Sequence, residues 1–228
     1  MKLKLIVILG FLFFVSQVHA QETLVLKNQK DKVSYIIGMD IGNNLKKQLI
    51  DVDLNILAKG LKDAFTGAKS LLTEKEIQET MTAFQKEMMA KKEEVAKQNK
   101  KDGEAFLAEN KKKEGVKTLP SGLQYKVIKT GTGKKPKSTD TVTVHYRGTL
   151  INGTEFDSSY KRGQTVSFPV SGVIPGWTEA LQLMEEGAKW QLFVPSNLAY
   201  GEKGAGNVIG PNATLIFEVE LVSIQEKK

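Results

Sequence analysis

The side chains that could do chemistry in this chain are few, and most are aromatic. Beyond residue 20 there is no cysteine and one histidine, His145. Cysteine-based nucleophiles and metal sites are excluded, and a histidine metal cluster or triad lacks its members. The sequence therefore predicts no metal and no cofactor. What remains is a set of rings drawn from distant stretches. Tyr146 shares a strand face with Val142 and Val144, and Phe217 shares one with Leu215 and Val219. Trp177 heads a run in which Ala180, Leu181 and Met184 follow at helical spacing. It is reached through Val173-Ile174-Pro175-Gly176, where Pro175 stiffens the chain and Gly176 lets it turn. Phe156, Tyr200 and Ile209 come from irregular segments, and Asp157 follows Phe156 directly. An apolar hollow lined by rings, with few polar groups, suits a small molecule or a peptide side chain. A plain hydrophobic core has the same pattern, and patterning leaves the two readings open.

The elements that must hold these residues fall in two contrasting halves. All six prolines and both tryptophans lie at or after Pro120, whereas residues 21–119 are rich in Lys, Glu, Ala, Leu and Met. The later half alternates with a period of two at Leu123–Val127, Val142–Tyr146, Trp190–Val194 and Leu215–Leu221. Val166–Val170 is extended, Asn152-Gly153 is a turn, and Glu155-Phe156 enters an irregular segment. In each alternating run Gln124, Gln191, Phe193, Glu218 and Glu220 fall on the outward side. Five or six antiparallel strands and a single helix at Trp177–Met184 are expected. This is an α+β arrangement, one sheet wrapped over one helix.

The earlier half reads as helices. Val33, Ile36, Ile37, Ile41, Leu45 and Leu49 stripe a helix over Asp31–Ile50, and Gly38 and Gly42 share a side that could admit another backbone. Asp53 caps a second helix, closed by Gly67. Thr73 and Glu76 form a capping box, with Leu72 and Ile77 as its staple. The helix that starts there has no strong stop before Gly115, although Asp102-Gly103 is a candidate kink. Its apolar side, Ile77, Met81, Phe84 and Met88, fades toward the C-terminus. The expectation is that its first turns pack and the rest is a stalk. So small a helical set buries little core alone, which points to self-association, with a monomeric three-helix bundle as the alternative.

The first twenty residues read as a secretory leader. Lys2 and Lys4 precede an apolar run from Leu5 to Val15, and Val18-His19-Ala20 offers a cut before Gln21. No later stretch approaches the ~20 apolar residues of a membrane span. An exported chain without cysteine folds on its core alone and lacks the residue a bacterial lipid anchor needs. The net charge is +7, but acids and bases intermingle, and no basic face with interleaved aromatics marks a nucleic-acid binder.

Five ordered motifs carry a family resemblance. They are Val144-His145-Tyr146-Arg147-Gly148-Thr149-Leu150, Gly153-Thr154-Glu155-Phe156-Asp157-Ser158-Ser159, Val173-Ile174-Pro175-Gly176-Trp177, Leu198-Ala199-Tyr200-Gly201 and Ala213–Leu221. Over about residues 120–225 they resemble the FKBP-type peptidyl-prolyl cis–trans isomerases. The helical half resembles the exported bacterial subgroup of the Mip and FkpA kind, which are V-shaped homodimers joined through their N-terminal helices. The resemblance implies a leader at 1–20, a helical dimerisation domain at 21–72, a long connecting helix at 73–114 and an isomerase domain at 115–228, with a curved antiparallel sheet over one short helix.

It also implies roles. Tyr146, Phe156, Asp157, Trp177, Tyr200 and Phe217 would be the catalytic pocket, with Trp177 as its floor. Val173, Ile174, Ile209 and Arg162 would bind substrate, the Ile174 N–H donating to a substrate carbonyl and Arg162 steadying Asp157. Partners would be unfolded or partly folded proteins, proline-containing peptides, a second copy of the chain and macrolide inhibitors. The location would be the periplasm or the outer-membrane surface. Chaperone activity would accompany isomerisation, and a non-catalytic dimeric peptide-binding chaperone or scaffold is the competing reading. The chain departs from the family at Ala205, where some members carry a bulky ring, at Val166, in place of an aromatic, and at Gly210, in place of a proline. Macrolide affinity and substrate preference rest on those positions.

Overall fold

The structure, a computed structural model, describes residues 25–48, 50–206 and 208–225. The expected leader, and Leu49 of the first apolar stripe, lie outside the described residues. The chain divides into two units, residues 1–50 and 51–228.

In the first unit, helix α1 spans Gln29–Lys47. It begins two residues before the expected Asp31 because Asn28 serves as cap, its side chain accepting the Asp31 N–H. None of its residues is buried.

In the second unit, α2 (Leu54–Thr66) is capped by Asp53, which accepts the N–H groups of Asn55 and Ile56 at 2.7 and 3.1 Å. Gly67 ends it in the left-handed conformation, φ 70°. The capping box at Thr73 and Glu76 forms as expected and opens α3 (Glu74–Asn110). This helix runs 37 residues, on the order of 55 Å at 1.5 Å per residue. It passes unbroken through Asp102-Gly103. Its C-terminal part is not the expected free stalk. Ile77 and Met81 in the first turns are exposed, whereas Gly103 and Asn110 in the last turns are buried.

Those last turns lie on a seven-stranded antiparallel sheet. Its strands are β1 (Val116–Thr118), β2 (Gln124–Lys129), β3 (Thr141–Leu150), β4 (Glu155–Ser158), β5 (Val166–Pro169), β6 (Lys189–Val194) and β7 (Leu215–Gln225). The order is β1-β2-β6-β7-β3-β4, with β5 beside the first half of β3. The strands beyond the expected set are β1, in the joint between the halves, and β4, in the stretch read as irregular. The central β3–β7 pair sets Tyr146 opposite Val219 and Gly148 opposite Phe217.

On the concave side sits α5 (Pro175–Leu183), which buries Trp177, Ala180 and Leu181 against Val142, Val144, Leu192, Val194, Leu215 and Val219. The helix starts at Pro175 rather than Trp177. Proline suits a first helical position, whose N–H would lack a partner anyway. The Ile174 carbonyl accepts from Trp177 and Thr178, closing the first turn. The expectation of a single helix in this half also needs correction. A one-turn helix, α4 (Ser159–Arg162), follows β4, its first turn capped by the Ser158 side chain.

The convex side is not the open face that alternation implies. Gln124 and Phe193 are 3% and 5% exposed. Helix α3 covers them: the Phe106 and Phe193 ring centroids are 6.0 Å apart. Gln124 accepts from Asn110 Nδ2 and donates to the Leu107 carbonyl, both at 2.9 Å. The alternation was right about direction, but the sheet has a second covered face there.

Candidate active site

The rings converge around Trp177. Its indole meets Tyr146 at 5.3 Å and 86° and Phe217 at 5.3 Å and 81°. Phe156 in turn stands edge-on to Phe217 at 5.6 Å and 83°. Edge-to-face contacts set each ring's positive rim against its neighbour's negative face, which fixes orientation as well as distance. Close approach is possible because β3 has Gly148 there. A Cβ on Gly148 would lie 2.6 Å from Phe156 Cε2 and 2.9 Å from Phe217 Cε1. Gly176 plays the same part beneath, where a Cβ would lie 2.6 Å from Val194 Cγ1.

Above the indole is a cavity of about 640 Å³. Tyr146, Phe156, Asp157, Val173, Ile174, Trp177, Tyr200, Ile209 and Phe217 all line it. Arg162 does not. It stands behind the wall, its guanidinium 5.6 Å from the Tyr146 ring centroid, donating to the Tyr146 hydroxyl at 2.9 Å and pairing with Asp157. The Tyr146 hydroxyl itself donates to Asp157. The three side chains thus form a closed polar triangle on one edge of an apolar hole. The one-turn helix α4 delivers Arg162, and strand β4, where Asp157 pairs with Gly148, delivers Asp157.

The triangle has a defined charge state. Burial, seconded by the hydrogen bond to Asp157, pushes the Tyr146 phenol up from 10.0. Burial also pushes Asp157 up, but hydrogen bonds from Tyr146 and Arg162 outweigh it, so its carboxyl lies below 3.8. Near neutrality Asp157 is ionised and Tyr146 is a neutral donor. Among the described lining residues the one carboxylate, Asp157, is engaged by Tyr146 and Arg162, and among the described residues no cluster of His, Asp or Glu could hold a metal. The Ile174 N–H meets no acceptor among the described residues.

The sequence profile described as FKBP-type peptidyl-prolyl cis-trans isomerase matches residues 132–222, and one described as a domain amino terminal to FKBP-type peptidyl-prolyl isomerase matches residues 30–127. The outer membrane protein MIP of Legionella longbeachae is 50% identical over 99% of this chain and 99% of its own. The chain belongs to the FKBP-type peptidyl-prolyl cis–trans isomerases. The peptidyl-prolyl cis-trans isomerase Mip of Coxiella burnetii is 49% identical, covering 89% of this chain and 90% of that one. The crystal structure of FkpA from Escherichia coli shares the fold with a TM-score of 0.64 at 42% identity, over 88% of this chain and 99% of that chain.

Within this FKBP framework sequence reasoning missed one wall of the cavity. Phe168 lines it, with its ring 6.0 Å from Trp177 at 88° and 6.1 Å from Tyr146. The signal was available: Phe168 sits opposite Val142 in the β3–β5 ladder and shares its face with Val166. Val166, two residues before it on the same strand, is partly buried against the core. Ala205, Gly206 and Val208 line the cavity as well.

Proposed function

We propose that this FKBP-family enzyme catalyses cis–trans isomerisation of X–Pro bonds by holding the proline ring on Trp177 while the preceding amide twists. The uncatalysed barrier of ~18–20 kcal/mol comes from amide resonance. The twisted amide has lost conjugation and charge separation, so it is less polar than the planar one. A dry pocket of rings favours it, and each ~1.4 kcal/mol of that preference is tenfold in rate. No bond breaks, so the chemistry needs no nucleophile. In this reading the Ile174 N–H donates to a substrate carbonyl and Tyr200, on the same lining, offers its hydroxyl. Arg162 keeps Asp157 ionised, and Asp157 holds the Tyr146 ring upright. The observation that carries the reading is the aromatic cage, with Trp177 buried beneath a cavity of about 640 Å³.

The remaining expectations belong to the same proposal: export, with residues 1–20 as leader, residence in the periplasm or at the outer-membrane surface, macrolide binding in the cavity, and a homodimer built on residues 21–72. Exposed apolar groups support the dimer. Phe65 is 91% exposed, Leu54 68% and Ile36 64%. A Cβ at Gly38 or Gly42 would touch nothing within 4 Å, leaving room for another backbone. Two pockets on one dimer would raise the effective concentration of a client chain, giving a holding activity beside isomerisation. The boundary at residue 114 is best redrawn, because the last turns of α3 cover the sheet. Proline-limited refolding of a model protein tests both parts. The full chain and a truncation starting near Glu93 should speed it alike, and only the full chain should suppress aggregation. Equal suppression by the truncation would remove the dimer from the account.

A further inference from the structure

The cavity has two kinds of wall. Tyr146, Phe156, Phe168 and Phe217 stand on or beside strands, and Trp177 on α5. The wall carrying Ile209 hangs on a loop. A narrow hairpin closes there, with the Ala205 N–H donating to the Ile209 carbonyl at 2.9 Å and the Ile209 N–H donating to the Ala205 carbonyl at 3.2 Å. What holds its base is α3. Asn99 Nδ2 donates to the Pro211 carbonyl at 2.8 Å, and Asn212 Nδ2 reaches the Ala96 carbonyl at 3.5 Å. A Cβ on Gly210 would lie 2.9 Å from Asn99 Nδ2 and 3.6 Å from Val95 Cγ1. A Cβ on Gly103 would lie 2.3 Å from Thr214 Oγ1 and 3.1 Å from Thr214 Cβ. Val95, Asn99 and Gly103 are four apart and share one side of the helix.

We infer that α3 is part of the isomerase site, with Asn99 and Gly103 as positioning residues that fix the Gly210–Thr214 segment and so set where Ile209 stands over Trp177. Glycine and asparagine are poor helix formers, and a free stalk would be firmer with alanine at both positions. Here they do what alanine cannot. Gly103 lets the Thr214 side chain approach the helix, and Asn99 spans to a carbonyl that proline at 211 leaves next to a bend. The closed hairpin then transmits that placement across two residues to the cavity. This rests on the isomerase reading of the cavity and adds to it a residue class outside the pocket.

The test uses the full chain, a proline-containing tetrapeptide and backbone amide exchange over residues 205–214. Asn99→Ala should speed exchange of the Ala205 and Ile209 amides roughly fivefold, about the worth of one hydrogen bond. It should raise KM by a similar factor while kcat changes less. Gly103→Ala should do the same although it strengthens the helix, and Gly103→Ala/Thr214→Ala should recover most of the loss. A free stalk gives the opposite result, unchanged KM and unchanged loop exchange in both single variants, and that result overturns the inference. If Gly103→Ala fails to fold, Asn99→Ala decides alone. Phe156→Ala separates the two claims. Wild-type turnover in that variant removes the isomerase reading, while loop exchange in the α3 variants still reports whether α3 holds the hairpin.

Discussion

Gly148→Ala is the smallest change that should close the pocket from within. Its new methyl would start 2.6 Å from Phe156 and 2.9 Å from Phe217, against ordinary carbon contacts of about 3.5–4.0 Å. Both rings must retreat by on the order of 1 Å, and the cavity that both line offers room for it. Gly148 lacks a positive φ, so the backbone accepts alanine and the effect is steric alone. Overpacking of this kind costs about 1–3 kcal/mol. On an ordinary domain of this size that lowers Tm by roughly 2–12 °C. Displacing two of the rings around the proline should reduce kcat/KM roughly tenfold or more, because misplacement of about 1 Å is severe for positioned groups. Thermal unfolding and tetrapeptide turnover measure the two effects separately. A Gly148→Ala chain with wild-type turnover would show that these rings do not bound the reacting site.

Other expectations follow from the same geometry. Turnover should be flat from about pH 5 to 9. Asp157 has a lowered pKa, so its contribution is present above the ordinary value of 3.8 and is lost as pH falls through the folded value. Tyr146 has a raised pKa, so its contribution is full below 10.0 and is lost as pH rises through its higher folded value. A pH–rate profile centred on a group titrating near 7 would contradict this. Gln124→Ala should destabilise the chain by about 1–3 kcal/mol by leaving the buried Asn110 amide without its partner, measured by urea unfolding. Phe65→Glu should shift sedimentation toward monomer with tetrapeptide turnover unchanged, since Phe65 is far in sequence from every lining residue and 91% exposed.

The ladder carrying Tyr146 and Phe217 was readable from period-two alternation because β3 and β7 are long and central. The cage followed once Trp177 was placed under them. Gln124 and Phe193 were misread because alternation reports which side of a strand a residue faces, not what covers that side. The cover comes from α3 through Phe106 and Asn110, and the helix's further docking residues, Asn99 and Gly103, are polar or lack a side chain. A hydrophobic stripe search sees Ile77 and Met81 instead, and so misses the end that packs on the sheet. Phe168 was passed over because β5 is only four residues long, too short for alternation to stand out. Arg162 was reachable only through the family pattern, since nothing in Ser159–Arg162 by itself predicts a turn of helix that aims a guanidinium at Asp157.

The central claim is that the ring-lined cavity above Trp177 lowers the barrier to X–Pro rotation. The most direct measurement is the cis-to-trans rate of a proline tetrapeptide with the intact chain and with Phe156→Ala at matched stability, checked by circular dichroism. The account predicts concentration-dependent acceleration by the intact chain and at least a tenfold lower kcat/KM for the variant. Equal rates from a folded Phe156→Ala chain would contradict it.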